Sequence, residues 1–455
     1  MSKPLKTSCS VALALSLLAG CSAFSPPSHP LPVSTGGAQA VAALSPIDDD
    51  PWWRTFDSPE LDVLVEAALN ANQDLRVATA RVAQARALVD GANAERLPQI
   101  GMSAGGSRGR ESSADQKADL AYTGFRASWE VDYLGEKALG RAAAQGDAAA
   151  VELAQKAARI AIAAEVATEY FDISISLQRE AAAAQALDIL ERQIVVAQRR
   201  FDAGQSTEID VDRLRGAHAQ EQAALRQLAG LRQVKQRQLA LLLGANDLPS
   251  GVTFAAAASV PVMEAPALIS MDLLERRPDV QRQAFAVEAA AARLGMAKRD
   301  IYPRIQLDWS GRKERLAAQG TTASPVIAIG YGISLSMPIF DGGRIRSNIA
   351  VHEARAQESM AAYEKAMLSA LADADVAVKQ FLSARESSAS LVQAEKAHDR
   401  AAGQSLRMFD AGLVDINTLL DTQRLAIKSR DALLQGTGAQ WDAAVAVRRA
   451  FAGSV

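Results

Sequence analysis

From Ile327 to Ile339 the chain alternates with a period of two. Odd positions carry Ile327, Ile329, Tyr331, Ile333, Leu335, Met337 and Ile339, and even positions carry Ala328, Gly330, Gly332, Ser334, Ser336 and Pro338. This spacing gathers the apolar groups on one face of a strand. Residues 316–340 contain no charged side chain, which invites a transmembrane helix. The small and polar second face, the punctuation at Pro325 and Pro338 and the absence of a 3.6-residue period exclude it. A strand longer than the roughly 9–11 residues that cross a bilayer, with one apolar and one small or polar face, fits a transmembrane β-barrel. The alternative is a strand of a soluble antiparallel sheet.

The rest of the chain is rich in Ala, Arg, Glu and Gln, so the strand sits in a mostly helical protein. Aromatic residues make up only 5% of the 455 residues, which favours long, closely approaching helices over a bulky interior. The formal net charge of -3 gives no basic excess and argues against a nucleic-acid partner.

The N-terminus reads as a targeting segment. Lys3 and Lys6 precede an apolar run from Val11 to Leu18, and Leu18-Ala19-Gly20-Cys21 follows. That tetrad resembles a bacterial lipobox, in which the Cys is acylated and becomes the new N-terminus. The alternative is an ordinary signal peptide. Residues 1–20 are then a leader, Cys21 is the lipidation site, and Ser22 in place of Asp points to the outer membrane. Residues 21–50 are rich in Pro, Ser and Gly and read as an extended linker, with folding expected to begin near Trp52-Trp53. Cys9 falls in the leader, so no disulfide can form within the mature chain.

The chain is written twice. At an offset of 205, Asp74, Val82, Ala85, Pro98 and Ile100 recur as Asp279, Val287, Ala290, Pro303 and Ile305; at 208, Phe201-Asp202-Ala203-Gly204 recurs as Phe409-Asp410-Ala411-Gly412. The first unit is expected over 51–250 and the second over 251–455. In the first, a helical pattern runs from Ser58 to about Leu97, strands are expected at 99–108 and 122–131, and helices at 137–203 and 207–244 with a break at Gly204. In the second, a helix ends at Pro303, strands follow at 304–313 and 326–339, and helices run from 344 to 410 and to about 450 with a break at Gly412. Leu187, Leu190, Ile194, Ala197 and Phe201 mark a 3,4 seam on one long helix, and Leu413, Leu420, Ile427, Leu434 and Trp441 fall at steps of seven.

Four strands cannot close a barrel, and a membrane sheet must leave no unpaired edge. Several copies must therefore share one. Two would give eight strands, a number typically filled by side chains; three would give twelve and a usable lumen.

The chain resembles the TolC-like outer-membrane efflux proteins, in their lipoprotein branch. The match rests on the lipobox, the paired halves, Arg276-Arg277-Pro278-Asp279-Val280, Ala297-Lys298-Arg299-Asp300-Ile301-Tyr302-Pro303, Pro338-Ile339-Phe340-Asp341-Gly342-Gly343-Arg344, and Asp410-Ala411-Gly412 with Thr418-Leu419-Leu420-Asp421. The resemblance implies a mainly α protein with membrane β. As a homotrimer it would form a 12-stranded transmembrane barrel continuous with a periplasmic helical tunnel. It implies passive efflux of drugs or other small molecules, with a periplasmic adaptor and an inner-membrane transporter as partners. It also puts the periplasmic aperture at Asp421 and Asn417, the Asn departing from an apolar constriction residue. Arg424, three residues past Asp421, is spaced to reach it. Gly204, Asp210 and Asp212 at one hairpin tip, and Gly412 and Asp415 at the other, are the expected adaptor contacts.

No enzymatic chemistry is expected. The four histidines, His29, His218, His352 and His398, stand apart without a second ligand at helical spacing. Gly342-Gly343-Arg344 lacks the Lys and Ser/Thr of a phosphate loop and reads as a sharp strand-to-helix turn. No metal, catalytic residue or cofactor is implied. The competing readings are a periplasmic adaptor, which normally has one hairpin flanked by small β domains where this chain alternates two hairpins with long amphipathic strands, and a structural coiled-coil lipoprotein, which has no use for the alternation at 327–339.

Overall fold

The computed structural model describes residues 51–109, 118–254, 274–318, 321–322 and 324–451. The leader, Cys21 and the linker lie outside them, as does the start of the second unit.

The described chain begins with a short 3-10 turn, Trp52–Phe56, followed by α1 (Pro59–Ala71). Ser58 caps α1 through its hydroxyl, which accepts from the Leu61 amide, and Pro59 takes the first helical position. The helix expected from 58 to 97 is two helices. Asn72 is extended, its side chain accepts from the amides of Asp74 and Leu75 at 2.8 and 3.2 Å, and α2 (Gln73–Ala94) starts there. Its amide nitrogen also donates to Leu242 O at 3.0 Å. A cap buried against a distant segment has overridden an unbroken helical pattern.

Four long strands form one antiparallel sheet in the order β1 (Gln99–Gly109), β2 (Ala118–Glu130), β3 (Arg304–Ala318), β4 (Val326–Ser336), and Thr321–Thr322 adds a two-residue bridge to the end of β3. Each half supplies one hairpin, and the two join through β2 and β3. Gly124 makes that approach possible: a Cβ there would lie 2.5 Å from Gly311 O. β2 and β3 are longer than expected, while β4 stops at Ser336 instead of 339. Ser336 pairs with Arg304, the first residue of β3, so the ladder ends where its partner begins; Pro338 has no amide to continue it.

The hairpins of helices repeat closely. α3 (Glu136–Asp202) and α6 (Arg344–Asp410) have 67 residues each, α4 (Glu208–Leu242) and α7 (Ile416–Ala450) have 35 each. At 1.5 Å per residue the longer pair reaches about 100 Å. α5 (Pro278–Arg299) packs against α3 and α6. At the base of the sheet each long helix starts after a left-handed glycine, Gly135 or Gly343, beside an aspartate that accepts backbone amides. Asp132 takes Lys137 N and Ala138 N at 3.1 and 2.9 Å; Asp341 takes Gly343 N and Ile345 N at 3.0 and 2.8 Å.

Few aromatics suffice because they are concentrated. Trp52, Phe56, Tyr170, Phe171 and Trp441 pack edge to face, except Phe171 on Trp441, which stack with centroids 4.0 Å apart. This cluster ties the 3-10 turn to α3 and α7, with Phe381 of α6 in the same core. Arg277 of the RRPD stretch fixes α5 beside it. It reaches Asp279 at 2.8 Å, Asp373 at 3.3 Å and the carbonyl of Ala450 at 3.0 Å. Burial opposes its charge, but Asp279 and then Asp373 raise its pKa above the ordinary value.

Candidate channel surfaces

The sheet separates two chemistries. In one set of register rows Trp129 meets Leu307 and then Ile333; Ile100 meets Ala127, Trp309 and Tyr331; Met102 meets Phe125, Gly311 and Ile329. These side chains stand in the open, Tyr331 at 89% and Ile333 at 74% exposure. The alternate rows bring Gly101, Arg126, Ser310 and Gly330 together, then Ser128, Asp308 and Gly332. Arg312 on that face pairs with Glu314 and lies over the Tyr122 ring, 5.9 Å from its centroid. Ile339 and Phe340 continue the apolar surface past the end of β4, 96% and 91% exposed. An apolar band this large needs a partner that is not water. The outer edges of β1 and β4 pair with no described strand.

Below the sheet an ion network holds the strands to the helices. Arg304 lies 2.7 Å from Asp300, 3.1 Å from Glu136 and 3.6 Å from Glu130. Trp129 donates from its indole to Arg96 O at 3.0 Å.

The two helical turns at the far end share one geometry. Gly204 and Gly412 are left-handed, with φ of 72° and 75°. Gly204 N donates to Phe201 O and Gln205 N to Arg200 O, both at 2.8 Å; Gly412 N donates to Phe409 O at 3.0 Å and Leu413 N to Met408 O at 2.8 Å. Both are Schellman closures. The next helices start on Thr207 and Asp415. Thr207 forms a capping box with Asp210, and Asp415 accepts from Thr418 N at 2.9 Å and Thr418 Oγ1 at 2.6 Å. Those bonds from Thr418, with one from Asn417, hold the Asp415 carboxyl below the usual range.

The tips lie against each other. Leu190, Ala197, Val211 and Leu214 of the first hairpin bury with Ile416 and Leu419 of the second, and the Arg200 guanidinium sits 4.4 Å from the centre of the Phe409 ring. Asn417 accepts a hydrogen bond from Arg213 across the hairpins and donates to Asp415 at 3.1 Å. Asp212 meets Arg215 at 3.4 Å. Asp421 and Arg424 are both exposed, and no ion pair joins them. Their helical spacing permits contact, but exposed side chains gain little by holding one geometry. Along α3 the buried line is Ala183, Ala186, Leu190, Gln193 and Ala197, with Leu187 and Ile194 at its margin and Phe201 exposed. Leu413 is likewise exposed and precedes α7. Both seams therefore stop short of the tips. Arg213 is the tip residue that sequence reading missed; its partner lies 204 positions away, and no local pattern marks it.

A profile of the outer membrane efflux protein family matches the chain twice, over residues 64–245 and 269–453. The chain belongs to the outer membrane efflux protein family. It is 29% identical to the pyoverdine export outer membrane protein OpmQ of Pseudomonas putida, covering 98% of this chain and 97% of that protein. It is 26% identical to the probable outer membrane lipoprotein SilC of Salmonella typhimurium, covering 92% and 93%. The solved outer-membrane channel OprN superposes with a TM-score of 0.81 at 28% identity, covering 91% of this chain and 95% of that one. As a member of the family the chain is an outer-membrane efflux channel, and neither the adaptor nor the spacer reading has support among these relatives. The family consists of channel proteins. Among the described residues no helix is apolar enough to cross a membrane and no cluster could hold a metal ion.

Proposed function

We propose that three copies close their sheets into a twelve-stranded barrel whose lumen continues between the helical hairpins, as a passive conduit for small molecules. The observation that carries this is the set of four long strands with no described strand on either outer edge and with one exposed apolar face. Unpaired edges are not tolerated in lipid, and three chains supply a number of strands that leaves a lumen. Residues 1–20 act as the leader, Cys21 carries the lipid anchor, and 21–50 tether it to two units, 51–250 and 251–455.

A conduit without chemistry of its own needs its energy from elsewhere, so an inner-membrane transporter and a periplasmic adaptor complete the pump. Gly204, Asp210, Asp212, Gly412 and Asp415 at the tips meet the adaptor. Asp421 and Asn417 line the aperture, with Arg424 one turn further along α7. A ring of three aspartates favours cations there. SilC and OpmQ are named for outer-membrane lipoprotein and export roles, which fits this assembly. The test is a planar-bilayer recording on the purified chain together with its migration before and after heating. Stepwise conductance from a heat-modifiable trimer is expected; a monomer that does not conduct overturns the reading.

A further inference from the structure

We propose that Lys313 and Arg315 of β3 bind the phosphate groups of lipopolysaccharide at the outer rim of the barrel. The inference rests on reading the sheet as a membrane wall. Along the apolar face β3 presents Ile305, Leu307, Trp309 and Gly311, and then Lys313 and Arg315. Lys313 lies opposite Ile327, the first residue of the alternating apolar row in β4, so the cations begin where the apolar band ends. Across β2 they face Thr123 and Ala121.

The long helices leave from the other end of the strands, after Glu130 and Ser336. In an outer-membrane channel the helices point into the periplasm, so this end meets the outer leaflet, whose glycolipid carries phosphates on its sugars.

Among the described residues the other cations at this end of the sheet, Arg108 and Arg312, have partners. Arg108, in the next row out, is held by Asp119 at 2.8 and 2.7 Å, and Arg312 on the opposite face pairs with Glu314. Lys313 and Arg315 are exposed, and neither makes an ion pair or side-chain hydrogen bond with any described residue. Cations at the edge of lipid are tolerated when their charges reach out of it, and with no anion of the described chain beside them these two are free to take one from outside. Two positions apart on one face of a strand, the side chains emerge about 7 Å from each other. That spacing lets both engage one phosphorylated sugar head, the Lys as a point charge and the Arg as a fork. Their aliphatic stems are long enough to lie along the apolar band while the charges reach outward.

The experiment compares the full-length wild type, purified in detergent, with a Lys313→Gln/Arg315→Gln variant. Both are titrated with lipopolysaccharide, with lipopolysaccharide stripped of its phosphates, and with phosphatidylglycerol. Wild type is expected to bind lipopolysaccharide at least tenfold more tightly than the variant, and to lose that margin with the stripped form. Lys313→Arg/Arg315→Lys retains binding, and Arg126→Gln, on the opposite face of the sheet, binds as wild type. Equal affinity of wild type and the double Gln variant overturns the proposal, as does equal binding of the stripped lipid or of phosphatidylglycerol. Conductance recorded on the same preparations separates the two levels. A conducting wild type without lipid preference defeats only this site, whereas a wild type that neither assembles nor conducts defeats the barrel.

Discussion

The sheet and the helical region bury their apolar groups in opposite directions. In the helices the largest aromatic side chains turn inward, Trp441 at 2% exposure against Phe171, and the helical surface mixes charged side chains with scattered apolar ones such as Leu88, Leu241 and Leu368. In the sheet Ile327, Ile329, Ile333 and Leu335 point away from the chain, and Arg126, Asp308 and Arg312 occupy the other face. One polypeptide thus obeys one rule, burial away from water, in two solvents. The position of a residue relative to the base of the sheet, marked by Arg304, decides which solvent it answers to.

The contrast predicts an ordered series of effects. Trp441→Ala, which empties the stacked aromatic core, should cost about 3–5 kcal/mol in chemical denaturation of the helical region. A loss below 1 kcal/mol would place the core elsewhere. Ile333→Arg puts a charge on the lipid face and should cost about 2–4 kcal/mol per chain, whereas Ser334→Arg on the other face should be well tolerated. Equal damage from both, read as folding into lipid vesicles, would erase the distinction between the faces.

Asp442 gives a pH handle confined to the helices. Burial, then Asp172 nearby, raises its carboxyl to about 7, Lys235 opposes, and Glu169 adds to the rise. The folded state therefore holds a proton that the unfolded chain releases near pH 4, so this contribution is fully present below pH 4 and is lost as pH rises toward and through 7. Asp442→Asn should raise stability at pH 8 by on the order of 1–3 kcal/mol and do little at pH 4. A pH-independent difference in melting temperature would refute that account.

Smaller still, Gly412→Ala and Gly204→Ala meet no steric obstacle and should each cost about 1–2 kcal/mol from left-handed backbone alone. Very unequal losses would show that the two tips are not equivalent. The smallest effect on stability is expected for Asp421→Ala, which should leave unfolding unchanged and lower cation selectivity in single-channel recordings. Unchanged selectivity would remove Asp421 from the aperture and turn attention to Asp210 and Asp212.

Much of the fold was legible because its signals are local. The alternation at 327–339 identified β4, and the repeated Phe-Asp-Ala-Gly located both helical turns, since only the glycine accepts the left-handed residue that closes them. What stayed hidden depends on distant partners. Asn72 breaks a helix that has no Gly or Pro there because it reaches Leu242. Ser336 ends β4 because Arg304 starts β3. At the tips the Arg213 bond to Asn417 is set by how two hairpins lie together, which no spacing encodes, and the spacing that permits an Asp421–Arg424 pair does not make one.

The equal lengths of α3 and α6 carry one more consequence. Each is 67 residues long and each starts from the same capped junction, so the two act as matched rulers measured from the membrane. Deleting one heptad from α3 alone would shorten it by about 10 Å, pull Arg200 away from Phe409 and leave the tips at different heights. Length in this protein can change only in pairs, and in four places, because every residue taken from an outgoing helix must also leave the helix that returns.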